Sequence, residues 1–229
     1  MSSLVKLTRG YVDSIDFLMT PVKPRRVPSR RQKALATRER IMTAAIQVFV
    51  EHGYSGTRMT DIAELADVAV QTLYYSFSTK AELVAACMEF AVLGPERRIP
   101  TEQDFWARTN VAATGRAALV EFANGVTAIL GRAGAMDEVA KAALHEPDVA
   151  AFVARSESLR REGYQKTVVI LDDRFGLRPA LDLEGATDVA LALASSATYL
   201  PLMRAGWSDA RYAAWLADAL ALLLLADPG

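Results

Sequence analysis

The hydrophobic residues of this 229-residue chain recur at intervals of three and four positions, the spacing that places them on one face of an α-helix. Alternation of apolar and polar residues, which would indicate β-strands, is nearly absent. The spacing therefore predicts an all-α protein, with glycine and proline between many of its helices. We expect helices over residues 37–52, 60–66, 70–77, 79–93, 114–132, 136–145, 147–174, 184–205 and 208–226.

Two of the predicted helices are short, and a turn of three residues, Asp67-Val68-Ala69, joins them. With the longer helix before them they would form a helix-turn-helix unit, which presents its second short helix to the major groove of DNA. Leu73 and Phe77 stand one turn apart in that second helix and should anchor it in the core. The other side chains of the helix would then point outward or lie along its edges.

These outward side chains carry the chemistry that DNA contacts require. Gln71 can make two hydrogen bonds to an adenine edge, and the methyl groups of Val70 and Thr72 suit a thymine methyl. The hydroxyls of tyrosine and serine and the lysine ammonium can donate to phosphate oxygens. The predicted DNA-binding residues are Arg38, Thr60, Val70, Gln71, Thr72, Tyr74, Tyr75, Ser76 and Lys80.

The net charge of −1 conceals a strongly basic stretch near the beginning of the sequence. Residues 23–40 contain eight lysines and arginines but only one acidic residue, Glu39. Because prolines lie in and beside this stretch, we expect residues 1–34 to form a flexible basic arm. Such an arm is either a solvated tail or a segment that follows DNA phosphates or enters a minor groove.

Composition narrows the range of functions. Hydrophobic residues make up 52% of the chain, which is enough for a sizeable core. The single cysteine excludes an intramolecular disulfide and a cysteine zinc cluster, and the apolar neighbours of Cys87 at helical spacing predict a buried thiol. The two histidines, His52 and His145, are far apart, which disfavours a catalytic triad. The carboxylates of Asp172-Asp173 lack a second ligand set at metal-binding spacing.

We therefore expect no metal, no cofactor and no catalytic activity. The longest apolar run, 213–226, is interrupted by Asp218 and has the period of a packed helix, so we expect no membrane span. A cytoplasmic protein fits this composition best.

The region around the short helices also shows a family pattern. A helix containing phenylalanine is followed by Gly-Tyr, the next contains Ile-Ala, and Thr-Leu-Tyr-aromatic-polar-Phe then leads through two small residues to lysine. In this chain those positions are Phe49, Gly53-Tyr54, Ile62-Ala63 and 72–80, followed by Glu82-Leu83.

At these residues the chain resembles the TetR family of bacterial transcriptional repressors. The match covers residues 37–90, and it is specific because many positions agree at fixed spacing. The sequence departs from the family at three positions. Asp67 replaces a usual glycine in the turn, Ala69 replaces a frequent serine that would cap the recognition helix, and Ser76 replaces a common histidine.

The resemblance implies a homodimer that binds a palindromic operator in double-stranded DNA. It implies release of the operator when a small molecule of unknown identity enters a C-terminal helical domain. On this basis we expect a helix-turn-helix domain at 35–92 and an effector-binding and dimerisation domain at 101–229.

Candidate effector contacts are aromatic or flexible apolar residues in the middle of long helices, a polar amide, and a histidine at a helix break. Each of them alone could instead be an ordinary core or surface residue. The amide of Asn124 would need a hydrogen-bond partner if it were buried, and a ligand could supply one. The candidates are Phe122, Asn124, His145, Phe152, Tyr164, Tyr199 and Met203.

The last predicted helix is apolar on nearly all sides, so nearly all its sides should be buried. The helix before it offers small residues that permit close approach, and two such helices from each of two chains would form a four-helix interface. Burial within one chain is the alternative. The predicted interface residues are Ala190, Leu193, Ala197, Leu200, Trp215, Leu220 and Leu224.

Two other functions remain open. The chain could be a helical small-molecule binding protein or an enzyme that carries a vestigial DNA-binding unit. It could also coat nucleic acid through its basic arm with little sequence preference.

Overall fold

The computed structural model describes residues 29–95 and 97–227, and this part of the chain is helical apart from turns and one isolated bridge between Leu177 and Leu225. A short 3-10 helix occupies Pro100–Glu102. The α-helices of the described residues are α1 (Arg30–Gly56), α2 (Met59–Leu65), α3 (Val70–Ser76), α4 (Lys80–Leu93), α5 (Asp104–Val111), α6 (Gly115–Ala142), α7 (Pro147–Phe175), α8 (Leu183–Leu193), α9 (Ser196–Arg204) and α10 (Asp209–Leu224).

The chain divides into two compact units, residues 1–36 and 37–229. Residues 1–28, most of the predicted basic arm, lie outside the described residues. The end of the arm differs from the prediction because residues 30–34 are helical. A reciprocal pair of bonds begins this helix: the Ser29 N–H donates to the Gln32 side chain, and the Gln32 N–H donates to the Ser29 hydroxyl.

A first hydrophobic core lies among α1, α2, α3 and α4. Phe49, Leu73 and Phe77 are fully buried in it, and so is Cys87, which confirms the predicted buried thiol. The end of α6 and the beginning of α7 complete the same core through Met136 and Val149. The domain limits expected at 35–92 and 101–229 stay a prediction.

A second hydrophobic core holds the longer helices together. The face of α10 that carries Tyr212 and Leu216 packs in this core with Phe122 of α6 and Tyr164 of α7. In α5, Phe105 and Trp106 are also buried here, although the sequence pattern predicted no helix at 104–111.

Two predicted helix boundaries are wrong. The helices expected at 114–132 and 136–145 are one continuous helix, α6, because Gly131 and Gly134 remain helical. At Gly134 an added methyl would lie at ordinary van der Waals distance, 3.6–3.8 Å, from Leu200 and Tyr199 of α9. The helix expected at 184–205 is broken, because the Ser195 hydroxyl caps a new helix by accepting from the Thr198 N–H.

Candidate nucleic-acid interface

The turn between α2 and α3 fixes the direction of the recognition helix. Asp67 takes the left-handed conformation, with φ of 51°, at the position where the family has glycine. The Val68 N–H closes the turn by donating to the Ala63 carbonyl over 3.0 Å. Ala69 is the N-cap of α3 and has no polar side-chain atom, so the departure at this position removes a side-chain cap.

The outer face of α3 is free for contact with DNA. Leu73 is fully buried, whereas Gln71 and Thr72 are exposed. Tyr74 is 48% exposed and Tyr75 is 94% exposed. An aromatic ring that is almost entirely in solvent loses hydrophobic free energy, so its placement here favours a role in binding.

The remaining predicted contacts differ in accessibility. Thr60 is exposed on α2, and its hydroxyl donates to the Asp61 carboxylate over 3.3 Å. Val70 is half-buried against the first core, which leaves only part of its side chain for a base. The Ser76 hydroxyl donates to the Thr72 carbonyl over 3.0 Å, so its proton is already engaged within the helix.

Arg38 positions the recognition helix. Its guanidinium donates to the Ser76 carbonyl over 2.5 Å at the end of α3 and lies 3.9 Å from the centre of the Phe77 ring. These contacts bind α1 to the end of α3. Arg38 is therefore half-buried, and part of its hydrogen-bonding capacity is used within the domain and not available to a phosphate.

Lys80 makes contacts within the domain that the sequence did not predict. Its ammonium donates to the Tyr54 carbonyl over 2.7 Å and to the Thr57 carbonyl over 3.1 Å, and it lies 4.3 Å from the centre of the Tyr54 ring. The Tyr54 carbonyl also accepts a hydrogen bond from the Thr57 N–H over 3.4 Å, and both carbonyls compete with phosphate for this cation. Two of the three N–H groups of the Lys80 ammonium are thus used within the domain, and its contact with phosphate stays a prediction.

Four of the predicted effector residues lie together. Phe122 and Tyr164 contact edge to face with ring centres 5.2 Å apart, and Tyr199 and Met203 belong to the same second core. The Tyr164 hydroxyl donates to the Ala194 carbonyl, and that of Tyr199 donates to Asp209. Burial raises the pKa of each phenol to about 12. In this structure the four side chains are therefore part of the second hydrophobic core.

Phe152, His145 and Asn124 lie elsewhere. Phe152 packs against the first core, and the His145 ring, which is exposed, contacts the edge of Tyr54 with centres 6.0 Å apart. Asn124 is exposed on the outer side of α6, contrary to the burial considered for it. Helical periodicity placed it between Phe122 and Val126 but could not tell which side of the helix would be covered.

The predicted dimer interface also needs correction. Leu220 and Leu224 are at most 1% exposed, and Ala190 is 3% exposed, so their side chains are covered within this chain. The predicted face of α10 packs inward because Tyr212, Leu216, Leu220 and Leu224 form one stripe at four-residue spacing. Leu193, Leu200 and Trp215 are half-buried and Ala197 is exposed, whereas the large hydrophobic side chains exposed on α10 are Leu222 and Leu223.

Sequence reasoning missed two polar groups. Arg132 bonds backbone carbonyls at the end of α4, and the Thr167 hydroxyl is buried with no hydrogen-bond partner among the described residues. Neither stands in a motif, so only the folded structure reveals them. Among residues 29–95 and 97–227 there is no group of three His, Cys, Asp or Glu side chains that could hold a metal ion. No helix in the described residues is long and apolar enough to cross a membrane.

The folded geometry of α1 to α4 is that of a helix-turn-helix unit. Residues 41–87 match the sequence profile described as "Bacterial regulatory proteins, tetR family". The transcriptional regulator TtgR of Pseudomonas putida is 41% identical over 59 residues, which are 26% of this chain and 28% of TtgR. The chain thus matches less than a third of the length of this relative.

Solved structures extend the similarity to the fold. The regulator of fatty acid degradation FadR from Bacillus halodurans aligns with a TM-score of 0.65 at 18% identity, over 81% of this chain and 93% of FadR. NalD, the secondary repressor of the MexAB-OprM efflux pump in Pseudomonas aeruginosa, aligns with a TM-score of 0.63 at 19% identity, over 85% of this chain and 98% of NalD. Residues 41–87 are therefore similar to bacterial regulatory proteins of the tetR family, and the chain shares the fold of these two solved structures.

Proposed function

We propose that this chain is a ligand-responsive transcriptional repressor. It binds a palindromic operator as a homodimer and releases the operator when a small molecule binds the helices after α4. The observation that carries the proposal is the recognition helix, where Tyr75 is 94% exposed beside exposed Gln71 and Thr72 while Leu73 is fully buried. The protein acts without a catalytic step, in the cytoplasm, where bacterial DNA lies.

The proposed contacts divide into two kinds. Gln71 and Thr72 read base edges, because an amide and a methyl group match adenine and thymine in the major groove. Tyr74, Tyr75 and Thr60 contact phosphates and fix the register of the helix on the duplex. Residues 1–28 contribute basic side chains that would add to the salt dependence of binding.

Release follows from the distance between the two recognition helices of the dimer. DNA fixes that distance near one helical turn or a multiple of it. A ligand that binds better to a form with another spacing lowers operator affinity by the difference between its two binding free energies.

The proposal is tested by fluorescence anisotropy on the intergenic DNA upstream of the gene and on a scrambled duplex, over a series of salt concentrations. We expect the native fragment to bind about a thousandfold more tightly, with a steep loss of affinity as salt rises. Gln71→Ala should reduce the preference for the native fragment, whereas Tyr75→Phe should weaken binding to both. Equal and weak binding to both duplexes would favour the alternative, a small-molecule binding protein with a vestigial DNA-binding unit.

A further inference from the structure

A surface cleft lies between the end of α4, the beginning of α5 and the middle of α6. Leu93, Phe105 and Ala128 provide its apolar wall, and Asn124 and Arg132 are among its polar groups. Gly125 leaves room for the Phe105 ring in this wall, because a methyl group at Gly125 would lie only 2.0 Å from that ring. The cleft can therefore receive an apolar molecule that carries a polar group.

Arg132 is held in the cleft by the backbone of α4. Its Nε donates to the Ala91 carbonyl over 3.1 Å, and one terminal nitrogen donates to the Val92 carbonyl over 3.4 Å. Gly94, with φ of 68°, leaves room for the guanidinium, since a methyl group there would meet it at 3.0 Å. These two bonds use two of the five N–H groups of the guanidinium, so three remain for a ligand.

The charge of Arg132 has no carboxylate partner among the described residues. Partial burial lowers the pKa of its guanidinium, which nevertheless stays protonated. The other charges of the cleft are paired: Arg108 bonds Glu121 over 2.6 Å, and Asp104 accepts a bond from Arg98 over 2.9 Å. Among residues 29–95 and 97–227 the cleft thus carries one positive charge without a carboxylate partner, beside an apolar wall.

We propose that this cleft binds an apolar molecule bearing a single carboxylate, which pairs with Arg132. One unpaired guanidinium matches one negative charge, and its planar N–H groups match the two oxygens of a carboxylate. A phosphate monoester would bring close to two charges to a site that offers one. Binding requires no new cavity because the cleft is already open to solvent.

The effect of carboxylate binding on operator affinity rests on the proposed function. Arg132 bonds the last turn of α4, and Leu83, Cys87 and Met88 of the same helix belong to the first hydrophobic core. A carboxylate that draws the guanidinium away from the Ala91 and Val92 carbonyls loosens the attachment of α4 to α6. The carboxylate would thereby act on the recognition helix that precedes α4.

The experiment measures binding of two carboxylates, octanoate and benzoate, by isothermal titration calorimetry, each beside its neutral amide, octanamide or benzamide. We expect the full-length protein to bind at least one carboxylate at least about tenfold more tightly than the matching amide, as a charged hydrogen bond requires. Arg132→Gln should abolish this preference, and Arg132→Lys should keep part of it. Arg204→Gln removes an arginine that bonds Glu138 of α6 outside the cleft, so it should leave the preference unchanged.

Thermal melting of each variant first establishes that it is folded. Asn124→Trp, at an exposed position that lines the cleft, is a second test of the site. The larger side chain should fill the mouth of the cleft and weaken carboxylate binding without affecting the core. Equal affinity for acid and amide in both pairs, an unchanged preference in Arg132→Gln, or an unchanged affinity in Asn124→Trp would overturn the proposal. Operator binding is measured separately by anisotropy, so a protein that binds its operator but prefers no carboxylate fails this inference alone. A protein that binds carboxylates but no operator fails the proposed function alone.

Discussion

Single basic side chains in this protein often stabilise helix ends. Arg38 bonds the last turn of α3, Arg132 that of α4, and Arg178 bonds the Leu222 carbonyl in the last turn of α10. Lys80 does the same at the end of α1. The last carbonyls of a helix lack partners within it and carry the negative end of its dipole, so they attract cations from elsewhere in the fold. A basic residue near a DNA-binding surface is therefore not free for phosphate merely because it is charged.

Lys80→Met should destabilise the protein, because it leaves the Tyr54 and Thr57 carbonyls without their charged donor. We expect a loss of about 2 kcal/mol in the free energy of unfolding, measured by urea denaturation. Tyr75→Ala is the control at an exposed position and should change that free energy by less than about 0.5 kcal/mol while it weakens operator binding. A fully stable Lys80→Met protein with weakened operator binding would instead support Lys80 as a phosphate ligand.

Because Cys87 is buried, we expect the free energy of unfolding to decrease at alkaline pH. Burial raises the pKa of this thiol to about 12, whereas an unfolded cysteine has a pKa of about 8.5. Because the unfolded state loses its proton first, the free energy of unfolding is unaffected well below pH 8.5 and falls as pH rises toward 12. Between pH 8.5 and 9.5 this thiol should account for a decrease of about 1 kcal/mol. Urea denaturation of wild type and Cys87→Ala measures it, and equal slopes against pH in the two proteins would contradict it.

At the scale of elements, α6 connects the two cores. Its first half contributes Leu119 and Phe122 to the second core, and its last turns contribute Met136 and Ala140 to the first. Because α6 is one continuous helix, a displacement of its first half is carried to the DNA-binding core without an intervening loop. At Gly125 the lack of a side chain decides how closely Phe105 approaches α6.

Two glycine substitutions should have opposite effects on stability. Gly125→Ala places a methyl group 2.0 Å from the Phe105 ring, so we expect a loss of about 1–3 kcal/mol from overpacking. Gly163→Ala in α7 has no atom within 4 Å of the new methyl, so the better helix propensity of alanine should add about 0.5–1 kcal/mol. Thermal and urea denaturation of the two variants measure both effects. Equal changes in the two variants would show that helix propensity, and not the contact with Phe105, governs these positions.

At the scale of the whole molecule, the proposed dimer must use surface that one chain leaves uncovered. The inward stripe of α10 is already buried, so its exposed leucines, Leu222 and Leu223, are the better candidates beside half-buried Trp215 of the same helix. Two adjacent exposed leucines on one helix favour association with another apolar surface. In a symmetric dimer the same face of a second copy supplies that surface.

Leu222→Glu should convert the dimer into a monomer, because a carboxylate at the centre of an apolar interface would be buried without a partner. Leu159→Glu on α7 is the matched control, since the exposed fractions of Leu159 and Leu222 are 62% and 60%. Sedimentation velocity should show a monomer for the first variant and a dimer for the second. Dissociation of both, or of neither, would place the interface elsewhere.

The sequence by itself determined the all-α class and the helix-turn-helix, because their signals are local. Leu73 and Phe77 could be assigned to the core from their spacing, and Tyr75 to the surface, since a short helix has room for only one buried side. The buried thiol of Cys87 followed from the same periodicity.

Only the tertiary structure decided which side of each long helix is covered and which partner each charge selects. Leu220 and Leu224 pack inward because neighbouring helices cover that side of α10, which is apolar on almost all sides. Asn124 faces solvent because no neighbouring helix covers its side of α6 among the described residues. No local pattern specifies which side is covered. Lys80 and Arg132 bond carbonyls of residues 26 and 41 positions away along the chain. Such contacts depend on how distant segments come together, and that information is not contained in the spacing of residues along one helix.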